Sequence, residues 1–388
     1  MRTHDLVAAA AHRVNAGLVE GAAIPLTRVL AEPLEHPFVG PVGAGDETVE
    51  RHDHLENHFS IAHGGRDLPD RVNSSVFGGG RFHAGSPPSV CEAGGMSPEE
   101  DAAAALVADL SGWLDRLFPD RDRGRRLKAA LDERFGDDGR PVTEELCRDV
   151  EAVAHGFSRH FELEYVADGS LVRDTEPRGW PPPDPRDVQG RAGSVGKVTR
   201  GRDGVAVLAL DGHDDVRIAA PYLRAAFALL RGARGVVLDL RRNRGGDLGT
   251  VTLVLDWLLG GEPTHVCDVI YRDRTRQWWT TGRLAELALP RETPVSVLVS
   301  ERTFSSGEGL AYHLQCRRRA RIVGQRTPGA ADHITPVNVS GHVRALLPEA
   351  RVRDAVTGAN WEGTGVVPDL PCEPADTLTV ATDALSAG

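Results

Sequence analysis

Lysine is almost missing from this chain. The 388 residues carry 45 basic side chains, yet only Lys128 and Lys197 are lysines. Cysteine is sparse as well. Cys91, Cys147, Cys267, Cys316 and Cys372 are far apart, odd in number and form no CxxC pair. That pattern excludes a disulfide framework and a cysteine zinc site, and it fits a reduced, cytoplasmic setting. Long apolar runs are missing too. No stretch approaches the ~20 apolar residues of a membrane helix, so no membrane partner is expected. The opening MRTHDLVAAAAHRVNAGLVEG has no charged segment ahead of an unbroken apolar run, so no signal peptide is expected. Nor is there a basic face. The net charge is −11, and the one basic run is Arg317, Arg318, Arg319, a pattern that a solvated helix end favours. Nucleic acid is therefore not an expected partner. Neither GxGxxG nor a P-loop occurs, and no cofactor is implied.

What is present divides unevenly. With 40% hydrophobic and 26% charged residues, the chain can bury a core and more than one domain. Residues 1–95 form a variable N-terminal region. An amphipathic helix is expected near Leu6 to Leu30, then a Gly-, His-, Ser- and Pro-rich stretch without a period of 2 or 3.6, read as loop or partly disordered. His52, His54, His58 and His63 lie close together there, but their spacing matches no standard metal pattern, so no metal site is assigned.

Residues 96–170 read as a helical bundle. Ser97, Pro98 and Glu100 make a capping box, and helices are expected to about Phe118, over Arg123 to Phe135, and from Thr143 to Phe157. A strand follows from Phe161 to Val166. Residues 171–193 are a Pro-rich linker. From 194 to 375, apolar runs of strand length (204–210, 235–240, 294–300) alternate with helical spacing (215–231, 249–259, 305–316). Such alternation implies an α/β domain with a largely parallel core. Residues 376–388 are set apart as a C-terminal tail.

The window PVSVLVSERTFSSGEGLAYHLQ, 294–315, concentrates the chemistry. A buried strand ends, a short turn follows, and a helix begins at Ser305. Ligands of parallel α/β sheets sit at the carboxyl ends of strands, so this serine faces the functional edge. It also sits beside free backbone N–H groups, which can stabilise an oxyanion once the hydroxyl attacks a carbonyl. A plainer account is also available: Ser305 and Glu308 have the spacing of a helix capping box.

Four segments in order resemble the tail-specific proteases, or C-terminal processing peptidases, most of all the branch that includes the interphotoreceptor retinoid-binding protein. They are VVLDLRRNRGGDLG, QWWTTG, TFSSGEGLAYHLQ and GANWEGTGVVPDL, and the resemblance covers about residues 98–375. It implies a ClpP/crotonase-like α/β catalytic core after an N-terminal helical subdomain. It places the nucleophile at Ser305, with Ser306 the weaker candidate, and an oxyanion hole at Gly245, Gly246 and Ser306. Many members use a lysine beyond the serine, at a place that falls on Ala330 here, and GQRTPGAADH contains none. Histidine, whose pKa is near neutral, is the alternative base. CRDVEAVAHGFSRHFELEY resembles the region where a family histidine precedes a strand, which points to His160. PDZ-lacking and tricorn-type relatives pair histidine and serine with a glutamate that matches Glu362. His333 is the rival base; His155 and His313 are weaker.

The reading is therefore a serine peptidase acting on peptides or protein tails. No PDZ domain fits between Val166 and the α/β pattern. Self-association into a homo-oligomer is compatible with the sequence. A non-catalytic ligand carrier on the same fold is the competing reading. An esterase is disfavoured because no GxSxG surrounds Ser305.

Overall fold

The computed structural model describes residues 49–51, 102–284 and 286–386. The helix expected near Leu6 to Leu30, the four clustered histidines and the capping box at Ser97 lie outside the described residues. Within the stretch expected to be loop, β1 (Val49–Arg51) pairs in parallel with β7 (Thr275–Trp279). An edge strand offers unpaired backbone groups that even an aperiodic segment can satisfy.

The helices α1 (Ala103–Leu117), α2 (Arg121–Phe135) and α3 (Glu144–Ala154) fall where spacing put them. Asp120 caps α2 by accepting the Asp122 and Arg123 amides at 3.1 and 2.9 Å, and Thr143 caps α3 through the Leu146 amide at 3.2 Å. Their apolar faces (Leu106, Leu110 and Leu114 on α1, Leu127 and Leu131 on α2) share one core with Val337, Val343, Ala345 and Leu347 of a sheet. The helices thus bury their stripes against strands as well as against each other. The Pro-rich stretch is strapped to that same sheet. Trp180 Nε1 donates to the Ile334 carbonyl at 3.2 Å, the Asn338 amide donates to Asp174 at 2.8 Å, and a short helix α4 (Pro185–Gly190) ends the strap.

Two six-stranded sheets organise the rest. The first contains β3 (Val195–Arg200), β4 (Val205–Leu210), β5 (Gly235–Asp239), β8 (Val295–Val299), β9 (Arg321–Gly324) and β12 (Leu370–Pro371), in the order β12-β9-β8-β5-β4-β3. All neighbours are parallel except β3 against β4. One face (Ala206, Leu208, Val236, Leu238, Val297, Val299) packs with α5 (Val216–Leu229), α6 (Leu248–Leu258) and α7 (Ser306–Cys316). The other face (Val205, Val237, Leu298, Val323) packs on Ala381 of α8 (Thr377–Ser386). Both faces of a parallel sheet need covering, which explains continuous apolar runs in place of alternation. It also explains why residues set apart as a tail contain a packed helix.

The second sheet contains β1, β7, β6 (His265–Tyr271), β11 (Val343–Asp354), β10 (His333–Asn338) and β2 (Glu162–Tyr165), with β11 contacting β10, β6 and β2. The long β11 is a beam. Its first half (Val343, Ala345, Leu347) lies in the helical core, and its second half (Ala350, Val352) lies in the core of the parallel sheet. Among the described residues no helix is long and apolar enough to cross a membrane.

Phe227 of α5 stacks on Trp257 of α6 with ring centroids 4.4 Å apart, both rings fully buried. Truncating a buried aromatic ring loses its transfer energy and leaves a cavity. Phe227→Ala is expected to lower unfolding free energy by about 3–5 kcal/mol, read by urea denaturation.

Candidate active site

The turn after β8 is buttoned to the segment after β5. Thr303 Oγ1 donates to the Leu240 carbonyl at 2.8 Å, Ser300 Oγ to the Arg241 carbonyl at 2.7 Å, and the Phe304 amide to the Asn243 carbonyl at 2.9 Å. These bonds force the chain into α7 abruptly. Ser305, at the junction, takes φ 53° and ψ −124°. A helix N-cap residue normally has extended backbone angles. An L-residue held at positive φ costs about 1–3 kcal/mol and persists only where its surroundings over-determine it. Capping alone therefore does not account for this serine.

Gly245 and Gly246 make the close approach possible, at φ +94° and +127°. A Cβ on Gly245 would stand 2.8 Å from Ser305 Cβ, and one on Gly246 would stand 2.0 Å from the His213 carbonyl oxygen. The two amides differ, however. Gly245 N–H is taken by Asn243 Oδ1 at 2.8 Å. Gly246 and Ser306, by contrast, line the same cavity as Ser305.

His160 forms another wall of that cavity. The ring is buried, and its Nδ1 faces the Asp332 carbonyl within hydrogen-bond distance. A carbonyl can only accept, so Nδ1 carries the proton and Nε2 keeps its lone pair. Nε2 is buried without a hydrogen-bond partner. The Ser305 hydroxyl therefore does not bond to it in this conformation. The His160 ring also stands edge-on to Phe304, the residue before Ser305, with centroids 5.1 Å apart. Burial lowers its pKa, while the Glu362 charge and the Asp332 carbonyl act to raise it.

Glu362 does not bond to the imidazole. It holds the backbone on either side of it. Its carboxylate accepts the Arg159 amide at 3.2 Å and the Ala331 and Asp332 amides at 2.6 and 3.0 Å. The imidazole and the carbonyl that fixes its tautomer are thereby tied to one acid. Glu308 secures the other end of the same loop. Beyond the Ser305 amide at 2.9 Å, it accepts Thr327 Oγ1 at 2.5 Å and the Gly329 and Ala330 amides at 2.7 and 3.0 Å. Burial pushes its pKa up to about 7, yet all four partners are donors, which favours the ionised form. The Asp332 side chain is ion-paired with Arg123 of α2. Burial and the Glu362 charge push its pKa up, against the pull of Arg123.

The remaining candidates sort by position. Ala330, where the resemblance implies a lysine in many members, lines the cavity, and its carbonyl accepts Trp361 Nε1 at 3.0 Å. Lys128 pairs with Asp115 in the helical layer, and Lys197 lies on the edge strand β3. His155 is spent on the Phe161 carbonyl at 2.9 Å. His313 lines the cavity, but its Nδ1 bonds to Asp354 at 2.8 Å. His333 lines the cavity at the head of β10; burial lowers its pKa, and the neighbouring His160 and His313 lower it further. Ser306 Oγ is 2.8 Å from His213 Nδ1. Sequence reasoning missed His213, Asn243, Asp332 and Arg123. His213 left a signal, as a histidine just beyond the carboxyl end of a buried parallel strand, and Asn243 stands inside the segment VVLDLRRNRGGDLG.

Comparison with known proteins agrees with this architecture. Residues 204–372 match the model of peptidase family S41. A carboxy-terminal-processing protease of Bartonella bacilliformis is 25% identical over 282 residues, 72% of this chain and 58% of that protein. A carboxyl-terminal-processing protease of Synechocystis is 35% identical over 116 residues, 29% of this chain and 26% of that one. A solved structure from Parabacteroides merdae shares the fold at TM-score 0.51, with 13% identity over 73% of this chain and 96% of that one. The chain is thus similar to carboxy-terminal processing peptidases, and its residues 204–372 match peptidase family S41. It spans less than two thirds of the length of these two curated relatives.

The strain at Ser305 can be measured. Glycine adopts positive φ freely, so Ser305→Gly is expected to raise unfolding free energy by about 1 kcal/mol relative to Ser305→Ala. Equal stability of the two variants in chemical denaturation would show that the backbone at this position stores no strain.

Proposed function

We propose that this chain is a serine peptidase of the C-terminal processing type. Ser305 is the nucleophile, His160 the general base and Glu362 the acid that positions it. The observation that carries the reading is the His160 ring: its tautomer is set by a backbone carbonyl, and its unprotonated nitrogen is orphaned in the wall of the cavity that holds Ser305. An unpaired buried acceptor costs about 1–3 kcal/mol, which a folding role would not require. His160 is preferred to His333 because its neighbouring charge, Glu362, strengthens the base, whereas the neighbours of His333 are imidazoles that weaken it.

In this reading the Ser305 hydroxyl attacks a peptide carbonyl as Nε2 of His160 takes its proton. The oxyanion lies against the Gly246 and Ser306 amides. His160 returns the proton to the leaving amine, and water then releases the acyl group by the same steps in reverse order. Leu248, Val251, Val266, Trp278 and Ile334 line the cavity, so an apolar side chain of a peptide or protein tail fits beside the serine. We read the core as ClpP/crotonase-like and the enzyme as cytoplasmic. The same apolar lining is what a ligand carrier would need, and it keeps that second reading open to test.

A fluorophosphonate is expected to label the wild type and not Ser305→Ala. An unlabelled wild type would favour the carrier. His160→Ala is expected to lower kcat on the order of 10²–10⁴-fold, the range of general-base catalysis. The active form of His160 is neutral, and burial lowers its pKa from 6.5. Neutral imidazole then persists as pH falls, so the acid limb of kcat/KM is expected below pH 6.5. An acid limb at or above that value would argue against His160 as the base.

A further inference from the structure

A second histidine–serine pair lies directly behind the site. His213 follows β4, Ser306 opens α7, and Asn243 sits in the segment after β5; all three are buried. His213 Nδ1 is 2.8 Å from Ser306 Oγ, and its Nε2 is 3.2 Å from Asn243 Nδ2. The proton positions follow by elimination. Asn243 Oδ1 accepts the Gly245 amide at 2.8 Å, so the other end of that carboxamide is its NH₂ and donates to His213 Nε2. Nδ1 then carries the imidazole proton and donates to Ser306 Oγ. His213 presents no lone pair to Ser306 and cannot take its proton.

The backbone of His213 extends the same attachment. Its amide donates to the Gly245 carbonyl at 2.8 Å, and its carbonyl accepts the Asp247 amide at 2.7 Å. The loop carrying His213 is itself anchored, since Asp214 accepts Ser194 Oγ at 2.7 Å and Arg191 Nε at 2.8 Å. One residue therefore grips the glycine segment through its backbone and the start of α7 through its ring. Burial lowers the His213 pKa to about 3, which keeps the ring neutral and the donor arrangement intact across the working pH range.

We infer that His213 is a positioning residue of the oxyanion site, fixing the Gly246 amide against the Ser306 amide through its bond to the Ser306 hydroxyl. The inference rests on the peptidase reading above and assigns Ser306 a tether in place of a nucleophilic role. Two amides from separate segments stabilise a developing charge only if their spacing is set before reaction. Losing the tether leaves both N–H groups present but free to drift apart.

The test compares two inhibitors of one peptide sequence, taken from a cleaved reporter. The aldehyde forms a hemiacetal oxyanion with Ser305, and the matching alcohol forms none. Ser306→Ala and His213→Ala are expected to weaken the aldehyde about 10-fold or more while the alcohol changes less than about 3-fold. kcat should fall with KM nearly unchanged. His213→Asn, which keeps an N–H donor near the Nδ1 position, should recover much of the aldehyde affinity. Ser306→Ala carries the test if His213→Ala fails to fold. Equal weakening of aldehyde and alcohol, or an unchanged ratio, overturns the inference. Fluorophosphonate labelling of the wild type, run in parallel, separates the two failures: no label overturns the nucleophile reading and this inference with it, whereas label with an unchanged ratio overturns this inference alone.

Discussion

The carbonyl of Asp332 decides which nitrogen of His160 can accept a proton. Imidazole has two equivalent-looking nitrogens, and in a buried site the choice between them rests on one hydrogen bond. Here that bond is made by backbone, and the backbone is held by carboxylates. Glu362 grips the Ala331 and Asp332 amides and the Arg159 amide beside the ring. Glu308 grips the Gly329 and Ala330 amides together with the Ser305 amide. Ser305, His160 and the orienting carbonyl thus converge on one short loop, 327–332, staked at both ends by negative charge.

This arrangement suits a chain without a nearby lysine. A buried ammonium must lose its proton in an apolar surround to act as a base, and burial shifts it strongly. Imidazole is neutral near pH 7 and needs no such shift. Ala330 instead fills the cavity wall, and its backbone serves Glu308 and Trp361.

Much of the fold was legible because the parallel strands are apolar throughout and the helices between them keep their 3.6-residue stripes. The strands β4, β5 and β8 and the helices α5, α6 and α7 lie within a residue or two of where the pattern put them. The helix Thr377–Ser386 was missed because its buried face is small, with only Thr377 and Ala381 fully buried. At the site, motifs pointed to Ser305, His160 and Glu362, and the structure brings the first two to one cavity and ties the third to the backbone around His160. Gly245 was grouped with Gly246, but its amide is already spent, a distinction that spacing does not encode. The Ser305–Glu308 spacing also fits a local cap. Its glutamate also reaches Thr327, Gly329 and Ala330, contacts with no sequence period. His213 and Asn243 escaped for the same reason, since a network across three segments leaves no regular interval.

The beam strand β11 has a consequence for how this molecule would fail. His160 stands beside the helical core and Ser305 on the parallel sheet, and the two cores meet along a strand that belongs half to each. Neither half contains both residues of the proposed pair. Loosening that seam would part them while each half still kept its own regular structure, so the proposed hydrolysis would be a more sensitive gauge of the joint than any spectrum of helices and strands.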